Sequence, residues 1–223
     1  MESVKITSNI RRRYDDACGT AHALELIGER WTLLVLRELM LGPRRFSQMR
    51  ADLPGISANV LIQRLTELEQ RGLIRRRKLA PPASVQVYEA TVWGLEAEPI
   101  VQALGRWAAR SPRHDPTLPI SGVSILLSFR TMISEKRAKG LDARVGFRFG
   151  ADDYVARIKK GQIKIARGPF DQCDVTLSGS PATLAAVVYG AQSLDLLGVT
   201  GDRALAEKFI TLFVLPPKVG DDG

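Results

Sequence analysis

This sequence predicts an α+β fold in two domains, and three observations carry that prediction. Residues 14–110 hold apolar segments at helical spacing, broken by turn signals, and end in a short basic hairpin. Residues 118–215 have a different pattern, which predicts a helix, several strands and two further helices. Residues 111–117 (SPRHDPT) have the composition of a linker. We expect a flexible arm at residues 1–13 and a tail at residues 216–223.

Apolar spacing and helix breakers delimit the first helices. A first helix is predicted at residues 19–27, and a strongly apolar one at residues 31–41. Gly42-Pro43 ends the second helix, and a short third helix follows at residues 47–53. Pro54-Gly55 then turns the chain into the segment on which the functional prediction depends.

That segment is a helix capped by Ser57 and ended by Gly72. Leu61, Leu65 and Leu68 recur at helical spacing and face a core. The opposite face carries amides, hydroxyls and an aliphatic tip, which suit adenine edges and the thymine methyl group in a major groove. An ordinary amphipathic helix with a polar face is the alternative. The residues that we expect to contact bases are Ser57, Asn59, Ile62, Gln63 and Thr66.

A basic hairpin follows this helix directly. Residues 73–79 and 85–89 are predicted strands, joined through Pro81-Pro82, and the first strand carries four consecutive cations. A helix, a turn, a second helix and a basic hairpin form the layout of a winged helix-turn-helix, although a charge run can also be a solvated face. The residues that we expect to contact phosphates are Arg44, Arg45, Arg64, Arg75, Arg76, Arg77 and Lys78.

Several separated motifs resemble the HxlR-type winged-helix transcriptional regulators. They are Cys18, residues 26–34 (LIGERWTLL), 41–46 (LGPRRF), 54–61 (PGISANVL) and 65–69 (LTELE). The resemblance covers residues 14–110 and implies a homodimer on operator DNA, with terminal helices at the interface. The helix predicted at residues 93–110, which Pro99 can kink, would then dimerise; alternatively, it closes its own domain's core.

Cys18 is a candidate thiol sensor. A position at a helix start, downstream of arginines, lowers a thiol pKa. Asp15 and Asp16 oppose that effect, and the residue after the cysteine is Gly19, where the resembled family commonly has proline. The alternative is an ordinary small cysteine without a redox role.

The second domain resembles the sterol-carrier-protein type 2-like domain at residues 174–184 (DVTLSGSPATL) and 201–213. We expect a helix, an antiparallel meander and two helices. The resemblance implies an apolar tunnel for a hydrophobic small molecule, whereas the same side chains could simply fill a core. The candidate pocket residues are Phe147, Phe149, Leu184, Val188 and Leu197.

The composition limits which classes of protein and which partners this sequence can represent. The 223 residues carry a net charge of +8 with local basic clusters, which favours a polyanionic partner. Two separated cysteines indicate a reducing compartment, and the absence of a signal or spanning segment indicates a cytoplasmic protein without a membrane partner. With only two histidines and no catalytic constellation, we expect no metal, no cofactor and no enzyme.

These observations predict a homodimeric DNA-binding transcriptional regulator, expected to be a repressor. Its partner would be an inverted-repeat operator in double-stranded DNA, and an apolar ligand in the second domain would modulate its affinity. The alternative function is a lipid or small-molecule carrier that uses the winged helix for dimerisation.

Overall fold

The computed structural model describes residues 14–80, 84–169 and 172–220, and it is an α+β protein. The first half contains α1 (Gly19–Ile27), α2 (Thr32–Arg37), α3 (Phe46–Asp52), α4 (Ala58–Gln70), β1 (Ile74–Lys78), β2 (Gln86–Ala90), α5 (Val92–Leu95) and α6 (Glu98–Ala108). The second half contains α7 (Gly122–Met132), α8 (Glu135–Ala138), β3 (Ala143–Phe149), β4 (Asp152–Lys159), β5 (Gln162–Arg167), β6 (Val175–Ser178), α9 (Pro181–Tyr189), β7 (Gly198–Gly201) and α10 (Arg203–Ile210).

The local signals around α4 act as predicted. The Ser57 hydroxyl accepts a hydrogen bond from the Val60 N–H at 3.3 Å and caps the helix. Gly72 ends the following turn with φ of +73°, a backbone conformation that glycine adopts without strain. Leu61, Leu65 and Leu68 are buried in the core, so α4 presents its polar face outwards.

Two predicted helices are shorter than expected. The apolar segment at 31–41 is helical only through Arg37, and its last residues form tighter turns in which Leu39 N–H bonds to the Leu36 carbonyl. The segment at 93–110 divides into α5 and α6. Pro99 lies in the first turn of α6, where its missing N–H costs no helical hydrogen bond.

The basic hairpin has the predicted antiparallel pairing, with Arg75 opposite Glu89 and Arg77 opposite Val87. Arg44 adds a short bridge to Tyr88, since the backbone groups of these two residues exchange hydrogen bonds of 2.9 and 2.8 Å. The hairpin is therefore held to the residues that precede α3. The loop at 81–83 and the arm at 1–13 lie outside the described residues.

The second half contains one sheet with strand order β5-β4-β3-β6-β7. The expected antiparallel meander is correct for β3, β4 and β5. It is wrong for β6, which crosses over and pairs parallel with β3. Strand β7 was not predicted, because a four-residue strand that begins and ends with glycine carries little strand signal.

Three of the five side chains predicted to line an apolar pocket fill the core instead. Phe147 and Leu184 are fully buried, and Leu197 is 6% exposed. The Phe147 ring lies 6.0 Å from the Phe129 ring and 5.6 Å from the Phe209 ring, centroid to centroid. Helix residues therefore occupy the space that the predicted pocket required. Val188 packs against this core, and Phe149 is partly buried beside it.

The two halves pack against each other through polar and apolar contacts. Glu98 on α6 forms an ion pair of 2.6 Å with Arg130 on α7. The segment predicted as a tail also returns to this junction, where the Val219 N–H bonds to the Arg110 carbonyl at 2.8 Å. The predicted linker thus joins halves that already share one continuous core. Among the described residues, no helix is long and apolar enough to cross a membrane.

Candidate nucleic-acid interface

The outer face of α4 is free of protein packing. All five residues predicted to contact bases are exposed to solvent: Ser57, Asn59, Ile62, Gln63 and Thr66. Ile62 is 53% exposed, although isoleucine is most often buried. The Gln63 amide donates to Glu67 at 3.1 Å. The helix thus presents amides, hydroxyls and one aliphatic tip together, the groups that read base edges in a major groove.

The wing cations are exposed next to this helix. The side chains of Arg75, Arg76 and Arg77 are 68%, 55% and 46% exposed, and Lys78 is also exposed. Because strand residues alternate, Arg75 and Arg77 reach Glu89 on one side and Arg76 points to the other. Such exposed ion pairs are worth little, so exchanging a carboxylate for a phosphate is inexpensive.

An ion pair ties the wing to α4. The Arg76 Nη2 lies 2.7 Å from Glu69 Oε2, and its backbone N–H also donates to Glu69 at 3.2 Å. The hydrogen bond from Arg76 lowers the pKa of Glu69, which keeps this carboxyl ionised. This ion pair and the backbone hydrogen bond join the wing to the last turns of α4.

Two predicted phosphate contacts do not hold. Arg64 is 8% exposed, because its side chain turns inwards and pairs with Glu67 at 2.9 Å and with Glu29 at 3.4 Å. Arg44 is 1% exposed, whereas its sequence neighbour Arg45 is exposed at the start of α3. Of the predicted phosphate contacts, Arg45 and the four wing cations are accessible to a ligand, and Arg44 and Arg64 are not.

Arg44 instead holds the two halves together in a buried polar cluster. Its guanidinium pairs with Asp52 on α3, and its Nη1 donates to Asp152 and to the Tyr154 hydroxyl, both at 3.2 Å. Burial alone would lower the pKa of Arg44, but Tyr154, Asp52 and Asp152 raise it. Arg44 thus stays charged between the helix-turn-helix and the sheet.

Arg167 completes this cluster from β5. It donates to Asp152 and to the Tyr154 hydroxyl, and its guanidinium stacks over the Tyr154 ring at 4.5 Å from the centroid. Burial raises the pKa of Tyr154 to about 12, although Arg167 and Arg44 act in the opposite direction. The phenol therefore remains protonated. We call Arg44, Asp52, Asp152, Tyr154 and Arg167 the arginine cluster.

A second buried contact crosses the same junction. Glu38 is fully buried after α2, and its Oε1 accepts a hydrogen bond of 2.7 Å from the Ser121 hydroxyl at the start of α7. Burial raises the pKa of Glu38, and the neighbouring Arg37 opposes that rise. The sequence pattern gave no signal for either contact, since the partners lie 83 residues apart here and 108 apart at Arg44 and Asp152.

Helix α6 leaves an apolar face exposed. Ile100 and Leu104 are each 46% exposed, and Trp107 is 74% exposed. Their spacing places them on one side of the helix, while Glu98 and Arg106 on another side contact α7. Trp93 and Leu95 on α5 are exposed as well, at 47% and 42%. Exposed apolar helix faces are common at protein–protein contacts.

Cys18 lies exposed at the first position before α1. Hydrogen bonds from the backbone and hydroxyl of Thr20 and from the Ala21 N–H lower the pKa of the Cys18 thiol. Asp16, which was expected to oppose that shift, accepts the Cys18 N–H at 2.9 Å. A lowered pKa makes the thiolate easier to form than in a free cysteine.

Two open cavities lie along the junction of the halves. One of about 290 Å³ is lined by Phe149, Tyr154 and Ser180 among others, and one of about 710 Å³ lies between α6 and β5. Of the five predicted pocket residues, only Phe149 lines either of these two cavities. Within the described parts of the chain, no group of three histidine, cysteine or acidic side chains could hold a metal ion.

The first half of the chain is similar in sequence to known helix-turn-helix proteins. A sequence model described as HxlR-like helix-turn-helix matches residues 26–115. The HTH-type transcriptional regulator YkvN of Bacillus subtilis (strain 168), itself uncharacterised, is 38% identical over 91 residues, which are 41% of this chain and 77% of YkvN. YodB of the same strain, also an HTH-type transcriptional regulator, is 35% identical over 86 residues, which are 39% of this chain and 77% of YodB.

A solved structure also matches part of this chain. The reduced form of the transcriptional regulator YodB from B. subtilis shares 31% identity, with a TM-score of 0.40 over 45% of this chain and 100% of that one. The match of the family model ends before α7 and the sheet. The second half of the chain lies outside that match.

Proposed function

This chain belongs to the HxlR-like helix-turn-helix family of DNA-binding transcriptional regulators, and we propose that it acts as a homodimeric repressor on an inverted-repeat operator. Residues 14–110 would form the DNA-binding and dimerisation domain, and residues 118–215 a sterol-carrier-like α+β domain joined by the linker at 111–117. The observation that carries the proposal is the exposed polar face of α4 beside the wing cations.

We assign two roles within this surface. Ser57, Asn59, Ile62, Gln63 and Thr66 contact base edges, because they are the exposed side chains of the helix that enters the major groove in this docking mode. The exposed cations contact phosphates, which positions the helix without reading sequence. These cations are Arg45, Arg75, Arg76, Arg77 and Lys78.

Base and phosphate variants are expected to behave differently. Asn59→Ala or Gln63→Ala should weaken operator binding by about 1–3 kcal/mol each and relax sequence preference, because a bidentate amide contact is lost. Arg76→Ala or Arg77→Ala should weaken binding to every duplex and reduce the salt slope by about 1 for each lost contact. Fluorescence anisotropy on a selected operator and a scrambled duplex, over a series of salt concentrations, measures both effects.

Gln192→Ala supplies the control for this experiment. Gln192 is an exposed amide in the second half, so its removal should change neither operator affinity nor salt dependence. Equal losses on operator and scrambled duplex for all four variants would contradict the division of roles. Absence of duplex binding by the unaltered chain would contradict the proposed function itself and favour the alternative of a carrier protein.

The second half is proposed to receive an apolar effector. Since its core is filled, the ligand would enter at the cavity lined by Phe149 and Tyr154 and displace core side chains such as Leu184 or Val188 from their present packing. Tyr154 belongs to the arginine cluster, which contacts α3 through Asp52. Ligand binding would therefore reach the helix-turn-helix by changing this cluster, with a typical coupling of about 1–3 kcal/mol.

Cys18 is proposed as a thiol sensor, and its reactivity should show the lowered pKa. In a Cys173→Ser variant, the rate of iodoacetamide alkylation should remain high at pH values where free cysteine, with a pKa of about 8.5, is already protonated. Below the depressed pKa the rate should fall. Thr20→Val, which removes a hydroxyl that lowers the pKa, should move the profile back towards higher pH. A profile equal to that of free cysteine would remove the chemical basis for sensing.

A further inference from the structure

The sheet of the second half has one face that no helix covers. Along β3, β4 and β5, residues such as Val145, Ala156 and Ile165 point into the core, and their neighbours point to solvent. Half of the outward positions on these three strands are cationic: Arg144, Arg148, Arg157, Lys159 and Lys164. Asp153 is the one acidic residue at an outward position of these three described strands. We call this surface the basic sheet face.

Three of these cations form a row across the strands. Arg144 lies directly opposite Arg157, and Arg157 lies directly opposite Lys164. Like charges at directly opposite positions destabilise a sheet. Asp142 partly compensates the row, because it pairs with Arg157 at 3.0 Å. Among the described residues, no carboxylate forms an ion pair with Arg144 or Lys164, although the Asp174 carboxylate accepts the Arg144 backbone N–H at 2.7 Å. The three cations of the row therefore outnumber the two carboxylates beside it, Asp142 and Asp174.

The other outward groups narrow the class of partner. On β6 and β7 they are hydroxyls, such as Thr176, Ser178 and Thr200. Within the described strands, no aromatic side chain points outwards, so bases of a single strand would find no stacking platform. The outward positions of these described strands also hold no large aliphatic cluster that could anchor in a lipid bilayer. A flat surface of cations and hydroxyls fits the sugar-phosphate backbone of a duplex.

The sheet also begins beside the helix-turn-helix. The Gln48 amide on α3 reaches Asp152 at 3.5 Å, next to the outward pair of Arg148 and Asp153 at the same end of the sheet. In helix-turn-helix docking, the helix before the recognition helix crosses the DNA backbone, and α3 occupies that position. From Arg148, the face extends along β3 to Arg144, four residues or about 13 Å further on.

We propose that the basic sheet face binds the phosphates of duplex DNA that flanks the segment held by α4 and the wing. The inference rests on the proposed function, because it assigns the second half a role in the same DNA complex. It also explains why repelling cations stand opposite one another: a run of phosphates neutralises them on binding and releases counterions.

The test compares two variants with the same change in net charge. One carries Arg144→Gln, Arg157→Gln and Lys164→Gln on the basic sheet face. The control carries Lys136→Gln, Lys139→Gln and Lys208→Gln, which are exposed cations on or beside α8 and α10. The affinity of each variant is measured over a series of salt concentrations on two duplexes. The short duplex has about 20 base pairs, which two half-sites one turn apart occupy completely. The long duplex has about 50 base pairs and so adds flanking DNA.

The face variant should bind the long duplex more weakly than the control, with the salt slope lowered by about 0.9 for each lost phosphate contact. On the short duplex, the two variants should be equal. The thermal unfolding midpoint of the face variant should be unchanged or higher than that of the unaltered chain, because the row of repelling charges is gone. If the midpoint instead falls, Lys164→Gln alone, which removes no ion pair among the described residues, should still lower the slope on the long duplex.

Three other results would each contradict either the proposed function or the role of the basic sheet face. If the unaltered chain binds neither duplex, the proposed function fails. If it binds both, Arg76→Ala weakens it, and the face variant equals the control on the long duplex, the inference fails while the proposed function stands. If the face variant loses binding only to vesicles that contain phosphatidylserine, the partner is an anionic lipid surface and the inference is overturned.

Discussion

Replacing Arg44 with methionine is expected to lower the free energy of unfolding by about 3–5 kcal/mol, because the change leaves Asp52 without its cation and Asp152 with Arg167 alone. The side chains of these two carboxylates are 30% and 22% exposed, so solvent relieves only part of that cost. The thermal midpoint should fall on the order of 10 °C. Urea denaturation followed by circular dichroism measures the loss.

Arg45→Met is the matched control, because it makes the same change at the adjacent residue. Arg45 is exposed, so stability should stay within about 0.5 kcal/mol of the original chain, while affinity for any duplex should fall. A stability loss below about 1 kcal/mol for Arg44→Met would show that the arginine cluster does not hold the halves together. In that case, the cluster could not carry a signal from the second half to α3 either.

The helix ends and the buried faces were predictable because the interactions that form them join residues close together in the sequence. The Ser57 cap, the glycine end at Gly72 and the leucine stripe on α4 all act over one or two helical turns. The alternation in β3, β4 and β5 likewise identifies the inward residues from their neighbours alone. The exposed surface of α4 therefore followed from sequence.

The roles of Arg44 and Arg45 could not be separated in the same way. The two arginines are adjacent and chemically identical, and only the position of Asp152 and Tyr154 buries one of them. That contact joins residues more than 100 positions apart, which no local pattern describes. Arg64 was assigned wrongly for a related reason, because its acidic partners include Glu29 from before α2.

The interior of the second half shows a second limit of prediction from sequence. Periodicity indicates that Phe147 and Leu184 point inwards, but not whether the space they enter is open or filled. Rings from Phe129 on α7 and Phe209 on α10 occupy it. Strand β6 illustrates the same difficulty for topology, since its four residues carry no information on which neighbour they pair with.

Leu104→Arg is expected to convert the proposed dimer into a monomer. Leu104 lies centrally on the apolar face of α6 between Ile100 and Trp107, and all three remain substantially exposed within one chain. Burying such a face stabilises association by about 25 cal/mol for each Å² of apolar surface removed from water. A guanidinium placed at its centre would have to be buried without a partner, which costs several kcal/mol.

Leu196→Arg provides the matched control for this prediction. Leu196 is 57% exposed in the second half and belongs to neither α5 nor α6, so the same substitution there should leave assembly unchanged. Light scattering should report a dimer for the control and a monomer for Leu104→Arg. Because a monomer engages one half-site only, operator affinity should also fall by about 10²–10⁴-fold. A dimer that survives Leu104→Arg would place the twofold contact elsewhere, and the exposed face of α6 would then need a different partner.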